Sequence, residues 1–432
     1  MLAQAIFTDS DAGSAVRKST VRKERPHAPT WAEARQLAYQ CARPLPSLVV
    51  ALSDAIGGTL TSPVTAQQDL PHYASSAMDG WAVNGDGDGP WLMTTAGRPL
   101  AAGEASLIAT GGLVPTGATA VLRKESGCVS EDGHLSLRHD SKPGETLPGR
   151  HIRPAGEEAT AGDVLIPAGI VLNPAHIALA AVAGHDHVRV QRKPRVAVVL
   201  TGSEVVTSGE PAPGQVRDAF GPQLDTVISQ LGGEPVGQQR IGDSYQEWMA
   251  ALGSTTTSGA ARPDVIVTTG GTGKSGTDHF RDAVAALGGR LLLDGVAMRP
   301  GHPAVLAELP DGRFVIGLPG NPLAAMMALM TLGEPLLAAL GNGPLRAARL
   351  MTSGADVDPD PGRTRLMPCT LVHELAFPAS RTGPGMMRGL AWADGYMAVP
   401  PEGVAAGATV PVLPLPWTTA NSSEVRMRAP MV

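Results

Sequence analysis

Between Pro194 and about residue 343 the chain repeats one pattern, and that pattern restricts the fold more than anything else in the sequence. Short apolar runs without polar alternation end in glycine, and stretches with helical spacing follow them. PRVAVVLTG is such a run; after it, LDTVISQLGG places Leu224, Val227, Ile228 and Leu231 at i, i+3, i+4 and i+7 and stops at Gly232. DVIVTTGG is followed by HFRDAVAALGG, with Phe280, Ala283, Val284 and Leu287 on one face, and FVIGLPGNP by PLAAMMALMTL. A strand with no polar face has to be covered on both sides, and amphipathic helices between such strands supply the cover. The pattern predicts a three-layer α/β/α domain with a central parallel sheet over residues 189–343.

The flanks read differently. From Trp31 to about Gly57 the sequence, led by WAEARQLAYQCA, reads as helical, and it predicts part of a connector over 30–61 that resumes at 150–188 with AHIALAAVAG. Residues 62–149 are short apolar pieces punctuated by Gly and Pro, such as WAVNGDG and TAVLRKE, which predict a mostly β insertion domain. After a linker at Asp358–Pro361, the pieces RTRLMPCTLV, GYMAVP and ATVPVLPLP predict a C-terminal β domain over 344–432. Residues 1–29 mix Arg17, Lys18, Arg22, Lys23 and Arg25 with Asp9, Asp11 and Glu24, so a flexible solvated arm is expected there, and a loose tail from Trp417. A chain of 432 residues is also too long for a single ordinary core.

Composition removes several function classes. A net charge of -6 with no basic stripe disfavours a nucleic-acid groove, although it leaves room for a local anion site. Cys41, Cys128 and Cys369 have neither disulfide-framework nor zinc-ligand spacing, which fits a reducing cytoplasm. No run reaches the ~18 uninterrupted apolar residues of a membrane span. The nearest, from Ile166, is broken by Asn173, Pro174 and His176. Aromatic residues make up only 3% of the chain, so its cores must be aliphatic.

Ligands of a parallel sheet bind beyond the carboxyl ends of its strands. Three strands end in sequence suited to this: Thr201-Gly202-Ser203-Glu204, Thr269-Gly270-Gly271-Thr272-Gly273, and Leu318-Pro319-Gly320-Asn321-Pro322. The middle loop continues with Lys274 and Ser275 and superficially resembles a nucleotide P-loop. It lacks the first glycine, because Thr268 stands there, and Gly276 falls where the helix should begin. A plain glycine-rich turn would explain the loop equally well, except that Asp278 waits at the helix entrance beside glycine N–H groups suited to a phosphate. Asn321 and Pro322 form a helix start, which by itself is ordinary. Arg299 and His302 surround a further Pro-Gly turn upstream, where an arginine could fork onto a phosphate.

The order SAMDGWAV, TGGLVPTGATAVLRKE, IRPAGEE, RVAVVLTGSE, GGTGKSGTDHF, VAMRPGHP and GLPGNP resembles the MoeA-type molybdopterin molybdenumtransferases, the family that includes the gephyrin E domain. The resemblance runs from about Trp31 to Pro416. It implies a multidomain α/β protein: a molybdopterin-binding α/β/α domain, a mostly β insertion domain, a connector and a C-terminal small β-barrel. It also implies a cytoplasmic homodimer that cleaves adenylylated molybdopterin with Mg²⁺ and inserts molybdenum from molybdate. A molybdopterin adenylyltransferase and acceptor molybdoenzymes would be its partners.

Residue by residue, the resemblance implies catalytic roles for Asp79, Glu204, Asp243 and Asp278, the last three as metal ligands. It implies substrate binding by Thr110, by Gly270, Gly271, Thr272, Gly273, Lys274 and Ser275, by Arg299 and His302, and by Pro319, Gly320, Asn321 and Pro322. Each acid alone also reads as a surface residue or helix cap. The chain departs from the family at RPGHP, where Arg299 and His302 replace two lysines, at Asp218-Ala219-Phe220 in place of DSN, and at Thr119 in place of an aspartate. Such changes suit either a divergent transferase, which the surviving acids favour, or a noncatalytic molybdopterin binder or carrier of the same fold. A gephyrin-like scaffold is the third reading.

Overall fold

The computed structural model describes residues 28–85, 87–254, 262–273 and 278–418. Most of the expected N-terminal arm, nearly all of the tail from Trp417, and Lys274 and Ser275 lie outside the described residues. The chain divides into two compact units. One holds the residues up to Ala42, Arg195–Ala339 and everything from Pro344, and the other holds Arg43–Pro194 with Leu340–Gly343.

Helix α1, Trp31–Gln40, begins in a capping box: Glu33 N–H donates to the Thr30 hydroxyl and the Glu33 carboxylate accepts from Thr30. It ends at Cys41, well short of Gly57. Pro44 and Pro46 deny the next turn its conformation and its N–H groups, and Ser47–Ala51 is a strand instead. Buried Arg35 of α1 donates to the Met330 carbonyl and to Glu334, both at 2.8 Å, which fastens α1 within the unit that carries the α/β sheet.

In the second unit, Ser47–Ala51 pairs antiparallel with His187–Gln191, and helix α2, Pro174–Val182, is capped by the Asn173 side chain. Leu60, Val64, Ile166, Leu172, Ala180 and Val190 form its small core. The expected mostly β region is a six-stranded sheet ordered Ala120–Arg123, Gly80–Val83, Glu104–Ile108, Trp91–Thr94, His134–Leu137, Gly127–Val129. Trp81, Trp91, Leu122 and Leu135 fill one side of it.

The α/β sheet of the first unit runs Glu234–Ile241, Arg195–Thr201, Val265–Thr269, Phe314–Leu318, Val305–Glu308, Arg290–Asp294. Its first four strands are parallel. Val305–Glu308 runs against them, and Arg290–Asp294, antiparallel to it, runs with them again, so the expected parallel sheet carries one reversed strand near its edge. A tight turn at Pro310-Asp311-Gly312 makes Val305–Glu308 and Phe314–Leu318 a hairpin, and hairpins can only be antiparallel.

Helices α3 (Leu224–Gln230), α4 (Tyr245–Gly253), α5 (Phe280–Ala286) and α6 (Pro322–Ala328) follow the parallel strands. Trp248 and Leu252 of α4 pack with Phe280 and Val284 of α5 against Val199, Ile266 and Val315 of the sheet. The chain reverses direction after its first crossover, so right-handed connections put α3 on the opposite face. Helical backbone continues beyond α6 through a π-turn at Leu329–Gly333 as far as Leu340. Pro322–Leu340 is long and apolar enough to cross a membrane, yet 94% of that stretch is buried inside the protein, which makes it a core helix.

After Pro344, the strands Thr364–Val372, Leu375–Pro378, Arg349–Ser353, Thr409–Pro414 and Gly395–Val399 pair in that order, and the last pairs back onto the first. This closed ring is the expected small barrel, filled by Cys369, Met397, Val399, Val410 and Val412. Closure leaves none of these five strands with an unpaired edge.

Candidate functional site

The strand order places Arg195–Thr201 and Val265–Thr269 side by side, with the chain leaving them in opposite directions. Such a reversal opens a crevice at the carboxyl ends of the two strands. There the Thr201 hydroxyl donates to the Thr269 carbonyl, and Gly270 N–H donates to the Leu318 carbonyl at 2.9 Å. The three strand ends singled out in the sequence are therefore bonded together. A Cβ at Gly320 would lie 3.8 Å from Gly270 Cα, so the GGTG and LPGNP loops touch.

The shape of the GGTG loop depends on two residues outside it. Gly271 has φ +66° and packs on the Trp248 ring, where a Cβ would come within 2.4 Å. Arg281 of α5 donates from Nη1 to the Thr272 and Gly273 carbonyls at 2.8 and 2.9 Å, and its other nitrogens hold Asp294. Turning those carbonyls toward the guanidinium leaves the polarity of the loop's open side to its N–H groups, as an anion requires. The Asp278 carboxylate lies against Gly273, since a Cβ there would meet its Oδ2 at 2.7 Å.

The other acids occupy separate places around this crevice. Asp243 accepts from Ser203 N–H at 3.2 Å and from the Ser203 hydroxyl at 2.8 Å, tying the loop after Glu234–Ile241 to the loop after Arg195–Thr201. Glu204 folds back toward Gly202, where a Cβ would sit 3.0 Å from its Oε2. Among the described residues, no three His, Cys, Asp or Glu side chains form a group able to hold a metal ion. Glu204, Asp243 and Asp278, expected together as metal ligands, are thus not a preassembled set. Each lies on its own loop, and the described residues supply no closed cage of carboxylates.

The RPGHP turn also has local work. Arg299, largely exposed, faces Asp360 at 3.5 Å, and its strand pairs with Thr364–Arg365 of the barrel. The His302 ring bonds through Nδ1 to the Val296 carbonyl at 2.7 Å, so that nitrogen carries the proton and serves to close the turn. Asn321 holds the N-cap position of α6 without a side-chain cap bond. The Ala324 N–H in the first turn of that helix donates to the Pro384 carbonyl of the barrel's 380–388 loop.

In the other unit the structure joins two expected residues directly. Thr110 donates to Asp79 Oδ1 from its N–H at 2.7 Å and from its hydroxyl at 3.0 Å. Those two bonds, backbone first, hold the carboxyl below the usual aspartate range. Gly80 must follow, because any Cβ there would lie 2.0 Å from the Leu122 carbonyl. Thr119, at a point of departure from the family, bonds to Val83, Gly85 and the Gly85 N–H, which is a turn-building role.

Comparison with known proteins matches residues 29–184 to the MoeA N-terminal region (domain I and II), 197–339 to a probable molybdopterin binding domain, and 351–415 to the MoeA C-terminal region (domain IV). A molybdopterin molybdenumtransferase of Nostoc is 32% identical over 312 residues, covering 68% of this chain and 69% of the relative. The chain belongs to the MoeA family.

A molybdopterin molybdenumtransferase 2 of Mycobacterium tuberculosis is 30% identical over 407 residues, 88% of this chain and 98% of that one. The solved MoeA protein of Pyrococcus horikoshii aligns with a TM-score of 0.71 at 25% identity, over 90% of this chain and 99% of the other. Against this MoeA background, sequence reading noted Asp218 only as part of a departure and passed over Arg281. Burial alone would raise the Asp218 carboxyl, but Gly221 and Phe220 N–H groups and Arg240 at 2.6 Å bring it below its usual range. Asp218 thus ties its turn down after the two neighbouring polar side chains of the DSN pattern have been replaced. The only sequence sign of Arg281 was its place three residues after Asp278.

Proposed function

We propose that this MoeA family member is a transferase of molybdenum cofactor biosynthesis that takes adenylylated molybdopterin, breaks its phosphoanhydride with release of AMP, and places molybdenum from molybdate on the pterin dithiolene. The observation that carries the reading is the contact between the GGTG and LPGNP loops at the strand reversal, with Asp278 at its edge. N–H groups of Gly271, Thr272 and Gly273, with Lys274 and Ser275, bind the diphosphate, and Gly270, whose own N–H is bonded to Leu318, lets the backbone approach it. Pro319, Gly320, Asn321 and Pro322 form the second wall, and Arg299 and His302 contribute from the RPGHP turn. Asp79, Glu204, Asp243 and Asp278 have the catalytic roles, and Thr110 binds substrate.

The reading is supported by the Asp243 carboxylate, bonded to the Ser203 hydroxyl, and by the Asp278 carboxylate, which lies against Gly273 of the GGTG loop. Mg²⁺ characteristically takes one or two carboxylates together with substrate phosphates, and bound in that way it would offset charge on the leaving phosphate. The proposal extends to a cytoplasmic homodimer, to a molybdopterin adenylyltransferase as supplier, and to the division into arm, connector, β, α/β and barrel domains read from the sequence.

The test mixes the full chain with adenylylated molybdopterin, molybdate and Mg²⁺ and follows AMP. Release of AMP with molybdenum on the pterin, both lost in Asp278→Asn, supports the proposal. Tight pterin binding with no AMP release under the same conditions would overturn it in favour of a carrier.

A further inference from the structure

The segment that carries Asp79 is gripped from two sides. On one side Ser75 and Ser76 pair with Arg153 and Ile152, and Ala77 N–H donates to the His151 carbonyl at 2.9 Å. On the other, Gly80 stands opposite Arg123 in the strand register, and Lys124 N–H donates to the Asp79 carbonyl at 2.9 Å.

Both sides meet at one buried carboxylate. The Glu145 side chain is 2% exposed and accepts from Arg123 through Nε at 3.1 Å and through Nη2. Its Oε2 also lies 3.5 Å from Nε2 of His151. His151 has φ +58°, a left-handed backbone that L side chains adopt at a cost, and its Nε2 is enclosed without a hydrogen-bond partner. A half-buried ion pair and a left-handed non-glycine residue both have to be held by their surroundings, and both sit on the frame of this one segment.

We infer that Glu145 and His151 are positioning residues for the Asp79 carboxylate. Glu145 locks Arg123 opposite Gly80, and His151 turns its carbonyl onto the Ala77 N–H. Together they fix the segment at both ends, so that Asp79 meets Thr110 in one geometry. The inference rests on the reading of Asp79 as a residue of the proposed reaction.

The test uses the full chain with Glu145→Gln, His151→Gly and His151→Val, and has two readouts. The first is the Thr110 amide resonance, which a 2.7 Å bond to a carboxylate moves far downfield; the second is AMP release resolved into kcat and KM. Glu145→Gln is expected to return the amide toward the ordinary range and lower kcat by about tenfold or more with KM little changed. His151→Gly keeps the left-handed backbone and should preserve both readouts, whereas His151→Val should lose both.

An unmoved Thr110 amide in Glu145→Gln overturns the inference, and so does a moved amide with unchanged kcat. Arg123→Lys, which keeps the charge and loses the fork, gives the same decision if Glu145→Gln folds poorly. Should the wild-type chain release no AMP, the proposed reaction falls and the amide readout alone decides the positioning.

Discussion

Arg281 donates from a single guanidinium nitrogen to the carbonyls of both Thr272 and Gly273 while its remaining nitrogens hold Asp294. The GGTG loop is therefore shaped by an arginine from the helix that follows it. Arg281→Lys offers one ammonium where a fork is needed and should raise KM for the adenylylated substrate several-fold with the melting temperature nearly unchanged. Equal KM in variant and wild type would show that the loop holds its own shape.

Gly271 tests the same loop from beneath. Gly271→Ala would push a methyl against the Trp248 ring and demand a left-handed alanine, at a cost of about 1–3 kcal/mol. Urea unfolding followed by tryptophan fluorescence measures that loss. AMP release should fall in the same variant even where it stays folded.

Asp79 sets a pH expectation. Its carboxyl is held low, so the Thr110 contact contributes above the ordinary aspartate value of about 3.9 and is lost as pH falls through the lower folded value. The Thr110 amide should report that lower midpoint by NMR. Thr110→Ala removes the hydroxyl and keeps the larger backbone contribution, so the midpoint should rise only part of the way.

Arg35 and Glu334 form a buried pair, with side chains 5% and 9% exposed, and Arg346 approaches the second Glu334 oxygen at 3.1 Å. Glu334→Ala leaves the Arg35 charge enclosed and should destabilise the unit by about 3–5 kcal/mol. Replacing Arg98, whose partner Glu104 it meets at the surface, should cost far less, because solvent screens that pair. Chemical denaturation of the two variants compares them.

The three thiols differ in reach. Burial pushes Cys369 up to about 12 and Cys41 to about 11, whereas Cys128 is exposed. A thiol reagent at pH 8 should therefore modify one cysteine per native chain and all three after denaturation. Rapid modification of Cys369 in the native protein would contradict its place in the barrel core.

Much of this protein was decided by local sequence. Unalternated apolar runs such as DVIVTTGG can only be buried strands, and the 3.6-residue spacing of Leu224, Val227, Ile228 and Leu231 can only be a covered helix, so the α/β domain was legible before any coordinates. Glycine-rich strand ends marked the crevice, because backbone that approaches a ligand has to lack a Cβ. Pairings between distant segments were not legible. That Asp243 would bond Ser203, that Asp79 would take both donors of Thr110, and that Glu204, Asp243 and Asp278 would stay apart depend on how loops far apart in the chain are brought together. The one reversed strand of the sheet and the barrel's closure belong to the same class. Sequence periodicity encodes which face of an element is buried, whereas strand order and side-chain convergence are settled only when the packed core selects one arrangement.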